Sequence, residues 1–157
     1  MAYSDGVLET KSTALSPSIE ECGLAQAAIL LGDKWTLLIL REALYGVTRF
    51  DDIHAELGLP RSVLSKRLKL LVEQGVLKRR PYKASGQRAR DHYVLTQRGV
   101  ELALPMAAIM QWGDKHLRSG AVTATIRERK SGDPLTVALT RPGDDDLTMR
   151  HAWLDVD

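Results

Sequence analysis

Hydrophobic residues in the first third of the chain recur every three or four positions, which is the spacing of an amphipathic helix. Leu24 and Ala28 share one face of the first run, which ends at Gly32. Ser18 and Glu21 precede it with the spacing of a capping box, in which each side chain bonds the other's exposed backbone N–H. The pattern therefore predicts a first helix that begins near Ser18.

Two further runs of the same period predict two more helices. Asp33 can cap the second helix, which ends near Gly46. Thr48 and Asp51 again have capping-box spacing, and they predict a third helix that ends at Gly58. This third helix is short, at about nine residues.

A fourth helical run follows after a turn of three or four residues, and it ends at Gly75. Its core-facing positions are Leu64, Leu68, Leu71 and Val72. Two helices joined by a short turn that contains glycine have the layout of a helix-turn-helix, although any helical hairpin could share it. Residues 76–81 and 91–95 then predict two strands around the polar segment KASGQRAR. A hairpin directly after the second helix is a wing, which narrows the interpretation to a winged helix-turn-helix.

Thr96 can cap a longer helical pattern that runs to about Leu117. Pro105 removes a backbone hydrogen bond to Glu101, so we expect a kink or a break. The apolar face of this pattern exceeds what a small winged core can cover, and a second copy of the chain is the expected partner. The residues of the expected dimer interface are Leu102, Met106, Ile109, Met110, Gly113 and Leu117.

The chain of 157 residues is about the size of one domain. We expect a flexible N-terminal tail at 1–17, a winged helix-turn-helix domain for DNA binding and dimerisation at 18–118, and a C-terminal extension at 119–157. Residues 135–139 and 147–154 resemble strands around a Pro-Gly-Asp-Asp-Asp turn. The extension could therefore pack a hairpin on the dimer, bind a ligand or hang loose. The expected fold class is mainly α with a small β-hairpin wing.

Composition adds limits to this picture. Hydrophobic residues make up 44% of the chain and charged residues 27%, as in ordinary globular proteins. No apolar run approaches the ~18 residues of a membrane span, and the N-terminus lacks the pattern of a signal peptide, so we expect a cytoplasmic location and no membrane partner. The single cysteine, Cys22, excludes a disulfide within the chain.

Positive charge is concentrated in one part of the sequence. The net charge is only +2, but the segment from Arg61 to Arg90 has ten basic residues and the single acid Glu73, a balance of +9. The rest of the chain has 12 basic and 19 acidic residues, a balance of −7. A concentrated positive field attracts phosphate, so double-stranded DNA is the expected partner.

Helical geometry predicts which residues of this segment face the DNA. With the leucines turned inward, the opposite side of the fourth helix presents Arg61, Ser62, Ser65, Lys66 and Lys69. Such side chains at the N-terminal half of a recognition helix can reach base edges and phosphates in the major groove. From the wing we expect contacts to phosphates or the minor groove, made by Lys83, Gln87, Arg88 and Arg90.

Several motifs in order resemble one family. They are Cys22, LLGDKWTLLILREAL (30–44), RFDDI (49–53), LPRSVLSKRLKLLVEQGVLKRRPY (59–82), YVLTQRGVEL (93–102) and WGDKH (112–116). The chain resembles the HxlR family of bacterial transcriptional regulators over about residues 22–117. The resemblance implies a homodimer joined through its first and last helices, a palindromic operator and no enzymatic activity. Asp33 and Pro60 depart from the family's common glycine and serine at these positions.

In some members of this family the cysteine that corresponds to Cys22 senses oxidants or electrophiles. A place in the first turn of a helix favours the thiolate, but Glu20 and Glu21 beside it oppose that charge. A small buried hydrophobe explains the residue as well as a redox sensor does. Both interpretations stay open from the residues.

Two other classes of function are alternatives to a DNA-binding regulator. One is a small-molecule-binding sensor module in which DNA binding is secondary, and an unidentified effector could equally act on a regulator. The other is an enzyme, but no Gly-x-Ser-x-Gly, Walker or dinucleotide motif is present. The four histidines show no pair at metal-ligand spacing, so we expect neither a metal site nor a cofactor.

Overall fold

The computed structural model describes residues 3–4, 7–8, 18–82, 90–120, 124–138 and 152–156. Within them the helices are α1 (Gly23–Leu31), α2 (Lys34–Leu44), α3 (Phe50–Leu57), α4 (Arg61–Glu73), α5 (Gln97–Glu101) and α6 (Ala103–His116). The strands form three antiparallel pairs, which are β1 (Tyr3–Ser4) with β2 (Val7–Leu8), β3 (Leu77–Tyr82) with β4 (Arg90–Leu95), and β5 (Ala124–Glu128) with β6 (Ala152–Val156). The chain divides into two compact units, Met1–Asp33 and Lys34–Asp157.

The first unit contains α1, whose start differs from the sequence prediction. Half of the capping box forms: Ser18 Oγ accepts a 3.3 Å hydrogen bond from the Glu21 backbone N–H, and the Ser18 hydroxyl donates a 2.9 Å bond to the Glu21 carboxylate. These bonds close only one turn, because Cys22 adopts extended backbone angles (φ −84°, ψ 111°) and becomes the N-cap. The predicted start near Ser18 is therefore wrong, and the helix begins at Gly23.

The second unit has a core built by three helices. The fully buried apolar side chains of these helices are Ile39 and Leu40 on α2, Ile53 on α3, and Leu64, Leu68 and Leu71 on α4. Gly58 ends α3 with a left-handed backbone angle (φ 61°), and Leu59 in the following turn is buried beside the helices. Pro60 then precedes α4 as its N-cap, without a side-chain capping bond. This arrangement confirms the predicted helix-turn-helix.

The start of α3 also differs from the sequence prediction. Thr48 and Asp51 do not form a capping box, because the N-cap is Arg49 and it makes no side-chain capping bond. Thr48 instead lies beside the wing, where its Oγ1 is 2.7 Å from His92 Nδ1 and its carbonyl accepts a 2.7 Å bond from the Tyr93 N–H. The segment between α2 and α3 thus joins the edge of β4, and a bridge between Arg49 and His92 continues this pairing.

The predicted wing is confirmed. β3 pairs with β4 from Leu77 opposite Leu95 to Tyr82 opposite Arg90. Val76 and Leu77 are each 1% exposed, so the base of the hairpin belongs to the core of the helix-turn-helix. Because these two residues are buried, the base of the wing is held against the core directly after α4.

The last helical pattern is divided, but not at Pro105, where the sequence predicted a kink or a break. Thr96 caps α5, since its Oγ1 accepts a 3.1 Å hydrogen bond from the Gly99 N–H and donates a 2.6 Å bond to the Gly75 carbonyl. The break lies at Leu102, and α6 starts at the next residue. Pro105 is the third residue of α6, where a backbone N–H has no intrahelical partner, so proline costs no hydrogen bond there.

The C-terminal extension differs from the predicted hairpin. Residues 135–138 are not a strand; β6 pairs with the earlier β5, in a register from Ala124 opposite Val156 to Glu128 opposite Ala152. Residues 139–151 lie outside the described residues, so the predicted second strand (147–154) is seen only from Ala152 onward. The sequence analysis predicted no strand at β5, although the adjacent β-branched residues Thr125 and Ile126 favour one.

The extension packs on α6. Ile126 of β5 and Ala107 of α6 are buried together, and Met110, Leu135 and Val137 pack against them. The Val137 N–H donates a 3.1 Å hydrogen bond to the Gln111 side chain. Among the described helices, none is by itself long and apolar enough to cross a membrane, and only α1 and α2 taken together as a bent pair meet that test.

Candidate nucleic-acid interface

The outer face of α4 carries the residues that the sequence predicted for DNA contact. Leu64, Leu68 and Leu71 turn into the core. The five predicted residues, Arg61, Ser62, Ser65, Lys66 and Lys69, all lie at exposed positions. The helix therefore presents two hydroxyls and three cations to solvent, as the helical pattern predicted.

Arg61 is held by α3. Its Nη2 donates a 2.9 Å hydrogen bond to Asp51, and its guanidinium carbon lies 4.7 Å from the centroid of the Phe50 ring. Both partners belong to the first turn of α3. The positive charge of Arg61 is thus partly balanced, and its orientation is set by the preceding helix. Acidic residues at the start of α3 were visible in the sequence, but the contact depends on the angle between the two helices.

The other cations of α4 differ in their surroundings. Lys69 lies 3.7 Å from Glu73 one turn later, and both side chains are exposed, so this pair binds the lysine only weakly. Lys66 has no acidic or hydrogen-bonding partner among the residues that the structure describes. Lys66 is therefore the α4 cation most available to a phosphate or a base edge.

The first strand of the wing also contains both paired and available cations. Arg79 forms an ion pair with Asp91 on β4, and its Nε donates a 3.1 Å hydrogen bond to the same carboxylate. This bond and the negative charge of Asp91 raise the pKa of the Arg79 guanidinium. Lys78 and Arg80 are exposed, and in the described part of the wing they have no such partner. Since side chains alternate along a strand, these two residues share the face opposite Arg79.

Most of the predicted wing-tip residues cannot be placed on this surface. Lys83, Gln87 and Arg88 lie outside the described residues. Arg90 opens β4 and its backbone pairs with Tyr82. The sequence placed Lys78 and Arg80, together with Arg79, along the first strand of the basic wing, but not among the assigned contacts. Strand alternation was the signal that could have separated these two residues from Arg79.

A separate set of exposed side chains is apolar. On α1, Leu24 is 80% exposed and Ile29 is 73% exposed, and no side chain of this helix is buried. On and after α6, the exposed large apolar residues are Leu104, Ile109, Trp112 and Leu117. Of the predicted interface residues, Ile109 and Leu117 belong to this set, while Leu102, Met106, Met110 and Gly113 are half-buried.

Two further predicted features concern side-chain chemistry. Cys22 is a free, partly exposed thiol at the N-cap of α1, and its side chain makes no capping bond. In the described part of the chain, no three His, Cys, Asp or Glu side chains come together in a way that could hold a metal ion.

Comparison with known proteins places this geometry among DNA-binding proteins. Residues 30–121, more than half of the chain, match the family model of the HxlR-like helix-turn-helix. The HTH-type transcriptional regulator Rv3095 of Mycobacterium tuberculosis, itself uncharacterised, is 45% identical over 103 residues, which are 66% of this chain and 64% of that protein. The chain thus matches less than two thirds of that relative's length.

Two solved structures extend the comparison. PA1607, a candidate transcription factor, is 35% identical and has a TM-score of 0.67, over 79% of this chain and 86% of that one. The reduced form of the transcriptional regulator YodB from Bacillus subtilis is 25% identical and has a TM-score of 0.53, over 64% of this chain and 98% of that one.

Proposed function

The chain belongs to the HxlR-like helix-turn-helix family, and we propose that it regulates transcription as a homodimer bound to a palindromic DNA operator. The observation that carries this proposal is that the described residues of the +9 segment form α4 and the paired strands of the wing, the two elements with which a winged helix-turn-helix holds a duplex. Such a role is that of a binding protein and not of an enzyme, and it requires a cytoplasmic location where chromosomal DNA is accessible.

In this proposal α4 lies in the major groove. Lys66 takes a guanine edge or a phosphate, and Ser62 and Ser65 take bases or phosphates nearby. These three residues are exposed and lie in the N-terminal half of the helix. Arg61 sets the position of α4 through its contacts with Asp51 and Phe50, and the part of its charge that stays exposed adds to the field around the groove.

The wing supplies contacts that depend little on sequence. Lys78 and Arg80 face one side of β3, and they join the predicted cations of the tip in binding phosphates. Each cation that neutralises a phosphate releases counterions, so affinity falls as salt rises. The pairing of Arg61, Lys69 and Arg79 with acids lowers the number of phosphates that the described residues can neutralise fully.

The uncovered apolar surface supports homodimerisation. Two helices with exposed leucine, isoleucine and tryptophan side chains are unfavourable in water, and a symmetric second copy can cover them. A symmetric dimer places two α4 helices on two half-sites, which predicts an inverted repeat with half-sites about 34 to 36 Å apart or a multiple of this.

Two inputs could modulate the binding. Modification of Cys22 is one, and it has some support in the likeness to YodB, for which a reduced form has been solved. A small effector is the other, and it leads to the alternative in which the chain is chiefly a small-molecule sensor and DNA binding is secondary. Specific DNA binding without any added compound would favour the transcriptional regulator, and its absence would favour the small-molecule sensor.

The test is fluorescence anisotropy of the purified protein on the duplex from its own upstream intergenic region, with a scrambled duplex as reference. We expect tighter binding to the upstream duplex and a steep loss of affinity between 50 and 200 mM salt, of about a hundredfold or more if four or five phosphates are neutralised. Equal, weak binding to both duplexes would contradict the proposal and favour the sensor module.

The same assay tests the thiol input. Oxidant is added to the protein and to a Cys22→Ser variant, which removes the only thiol of the chain. A change in affinity that occurs only in the unmodified protein assigns the switch to Cys22, whereas an equal response in both proteins excludes it.

A further inference from the structure

A cavity of about 450 Å³ opens in the second unit between α2, α5, α6 and β5. This volume lies within the range of roughly 300 to 1,000 Å³ that is typical of small-molecule sites. Its walls are almost entirely apolar, and they include Leu38 of α2, Val100 of α5, Met106 and Met110 of α6 and Ile126 of β5. The two methionines are unbranched and polarisable, so they can adapt to ligands of different shape, including flat aromatic rings.

One cation lines this cavity. Arg41 is the only charged side chain among the described residues that line it. One guanidinium nitrogen, Nη1, bonds to Glu42, whose side chain is only 3% exposed, and the guanidinium carbon lies 4.4 Å from the centroid of the Tyr45 ring. These contacts hold the arginine in one orientation. Among the described residues it donates no other side-chain hydrogen bond, so the remaining N–H donors are available.

We propose that this cavity binds a small aromatic carboxylate, with its rings against the methionines and its carboxylate on Arg41. Apolar walls with one polar anchor are the usual composition of a ligand site, since burial provides affinity and the anchor fixes orientation. An arginine whose other contacts are already made loses little freedom on binding, and a carboxylate can accept two parallel bonds from it.

The position of the cavity gives the ligand a route to the DNA-binding elements. α2 forms one wall and also packs against α3, α4 and β4, and Leu95 at the end of β4 lines the cavity as well. A ligand that binds one arrangement of these elements more tightly shifts the population toward it and changes DNA affinity. This regulatory step rests on the proposed function, whereas the binding of the carboxylate does not.

Methionine methyl groups provide a direct test of binding. The chain has four methionines, and two of them, Met106 and Met110, line the cavity. We would label the methionine methyl groups with carbon-13, assign them with Met106→Leu and Met110→Leu variants, and titrate the full-length protein with 2-naphthoate. We expect the signals of Met106 and Met110 to shift saturably. 2-Naphthamide, which has the same rings without the charge, should bind about tenfold or more weakly.

Variants of Arg41 distinguish the contribution of its charge to ligand affinity from that of the apolar walls. Arg41→Gln combined with Glu42→Gln removes the ion pair without leaving a buried unpaired carboxylate. We expect this double variant to bind 2-naphthoate about tenfold or more weakly and to bind 2-naphthamide unchanged. Lys34→Gln is the matched control, because it removes an exposed cation from the same helix outside the cavity lining. A second variant, Val100→Trp, fills the cavity from a partly exposed wall position and should abolish both titrations.

Three results would overturn the proposal. They are the absence of any shift at Met106 and Met110 up to millimolar 2-naphthoate, an unchanged affinity for it in the double variant, and methionine shifts that follow protein concentration but not 2-naphthoate. The last would mean that a second copy of the chain fills the cavity.

Anisotropy with the upstream duplex then tests the regulatory step. Saturable methionine shifts without any change in DNA affinity would overturn that step alone, and failure to bind DNA would count against the proposed function while leaving the methionine result intact.

Discussion

Arg61, the first residue of the helix proposed to read DNA, donates a 2.9 Å hydrogen bond to Asp51 in the first turn of the preceding helix. The Phe50 ring lies against the same guanidinium. The two helices of the helix-turn-helix are thus joined at their outer edge by an ion pair and an aromatic contact. The first cation of the basic segment thus serves as a contact between helices and is only partly available to phosphate.

Replacement of Asp51 tests this role. Asp51→Asn should raise affinity for any duplex and make the salt dependence steeper by about one unit, because it releases the charge of Arg61 and removes a negative charge beside it. The free energy of unfolding should fall by only about 1 kcal/mol or less, since the pair is exposed. Anisotropy at several salt concentrations and urea unfolding measure the two quantities.

The neighbouring residue supplies a matched control for Asp51. Asp52→Asn makes the same change of charge one position along, but Asp52 lies 3.8 Å from Arg49 and not beside Arg61. An equal rise in affinity for both variants would mean that general charge, and not the release of Arg61, is responsible.

Lys66 is expected to carry sequence discrimination. Lys66→Ala should weaken binding to the upstream duplex by about 1 to 3 kcal/mol and should change binding to scrambled DNA much less. Ser65→Ala should have a smaller effect in the same direction, while Arg88→Ala should weaken binding to all duplexes similarly. Competition anisotropy with both duplexes gives the ratio of affinities for each variant.

A lysine outside the helix-turn-helix and the wing controls for loss of charge. Lys130 lies exposed in the turn after β5, and Lys130→Ala should leave both affinities nearly unchanged. If Lys66→Ala reduces affinity for operator and scrambled duplexes by the same factor, direct readout by this residue is excluded.

Thr48 attaches the wing to the helix-turn-helix through its contact with His92. Thr48→Val keeps the shape of the side chain and removes the hydrogen bond, so the free energy of unfolding should fall by about 0.5 to 1.5 kcal/mol. Thr136→Val is the matched control, because Thr136 is exposed and makes no such bond among the described residues. A loss of stability no larger than that of the control would show that the Thr48 contact adds nothing measurable.

The helix-turn-helix and the wing could be predicted from the sequence because their signals are local. Leucines at helical spacing predict α4, and Gly58 predicts the end of α3. The change to strand period after Gly75 predicts the hairpin of the wing. The capping-box spacing of Thr48 and Asp51 is equally local, yet it failed because pairing with β4 uses the same threonine. A tertiary contact can therefore override a correct local signal.

Contacts between distant segments could not be read from the pattern. β5 pairs with β6 across a long stretch of intervening chain, and short strands of ordinary composition do not specify such partners. The ion pairs of Arg61 and Arg79 depend on helix angle and strand register in the same way, which is why the basic segment seemed to offer more available cations than the structure does.

Gly113 tests whether α6 forms the dimer interface. Among the described residues, a Cβ placed on Gly113 would meet no atom within 4 Å outside its own stretch of helix, so no described neighbour opposes Gly113→Ala. Since alanine favours a helix by about 1 kcal/mol over glycine, the variant should be as stable as the parent or more so when monomeric. A close approach of two α6 helices at this glycine would be blocked by the added methyl group. We therefore expect Gly113→Ala to weaken dimerisation without loss of helix content, as measured by analytical ultracentrifugation and circular dichroism.

A charged substitution on the same helix provides the stronger perturbation. Ile109 is 55% exposed in one copy, and Ile109→Glu should abolish the dimer because it would place an unpaired carboxylate in an apolar interface. Lys115→Glu makes a charge change at an exposed polar position of α6 and serves as the control. If the Ile109 variant sediments as a dimer at the same concentrations as the parent, the interface does not involve this face. If it is monomeric and folded but retains only non-specific DNA binding, both the interface and the need for two half-sites are supported together.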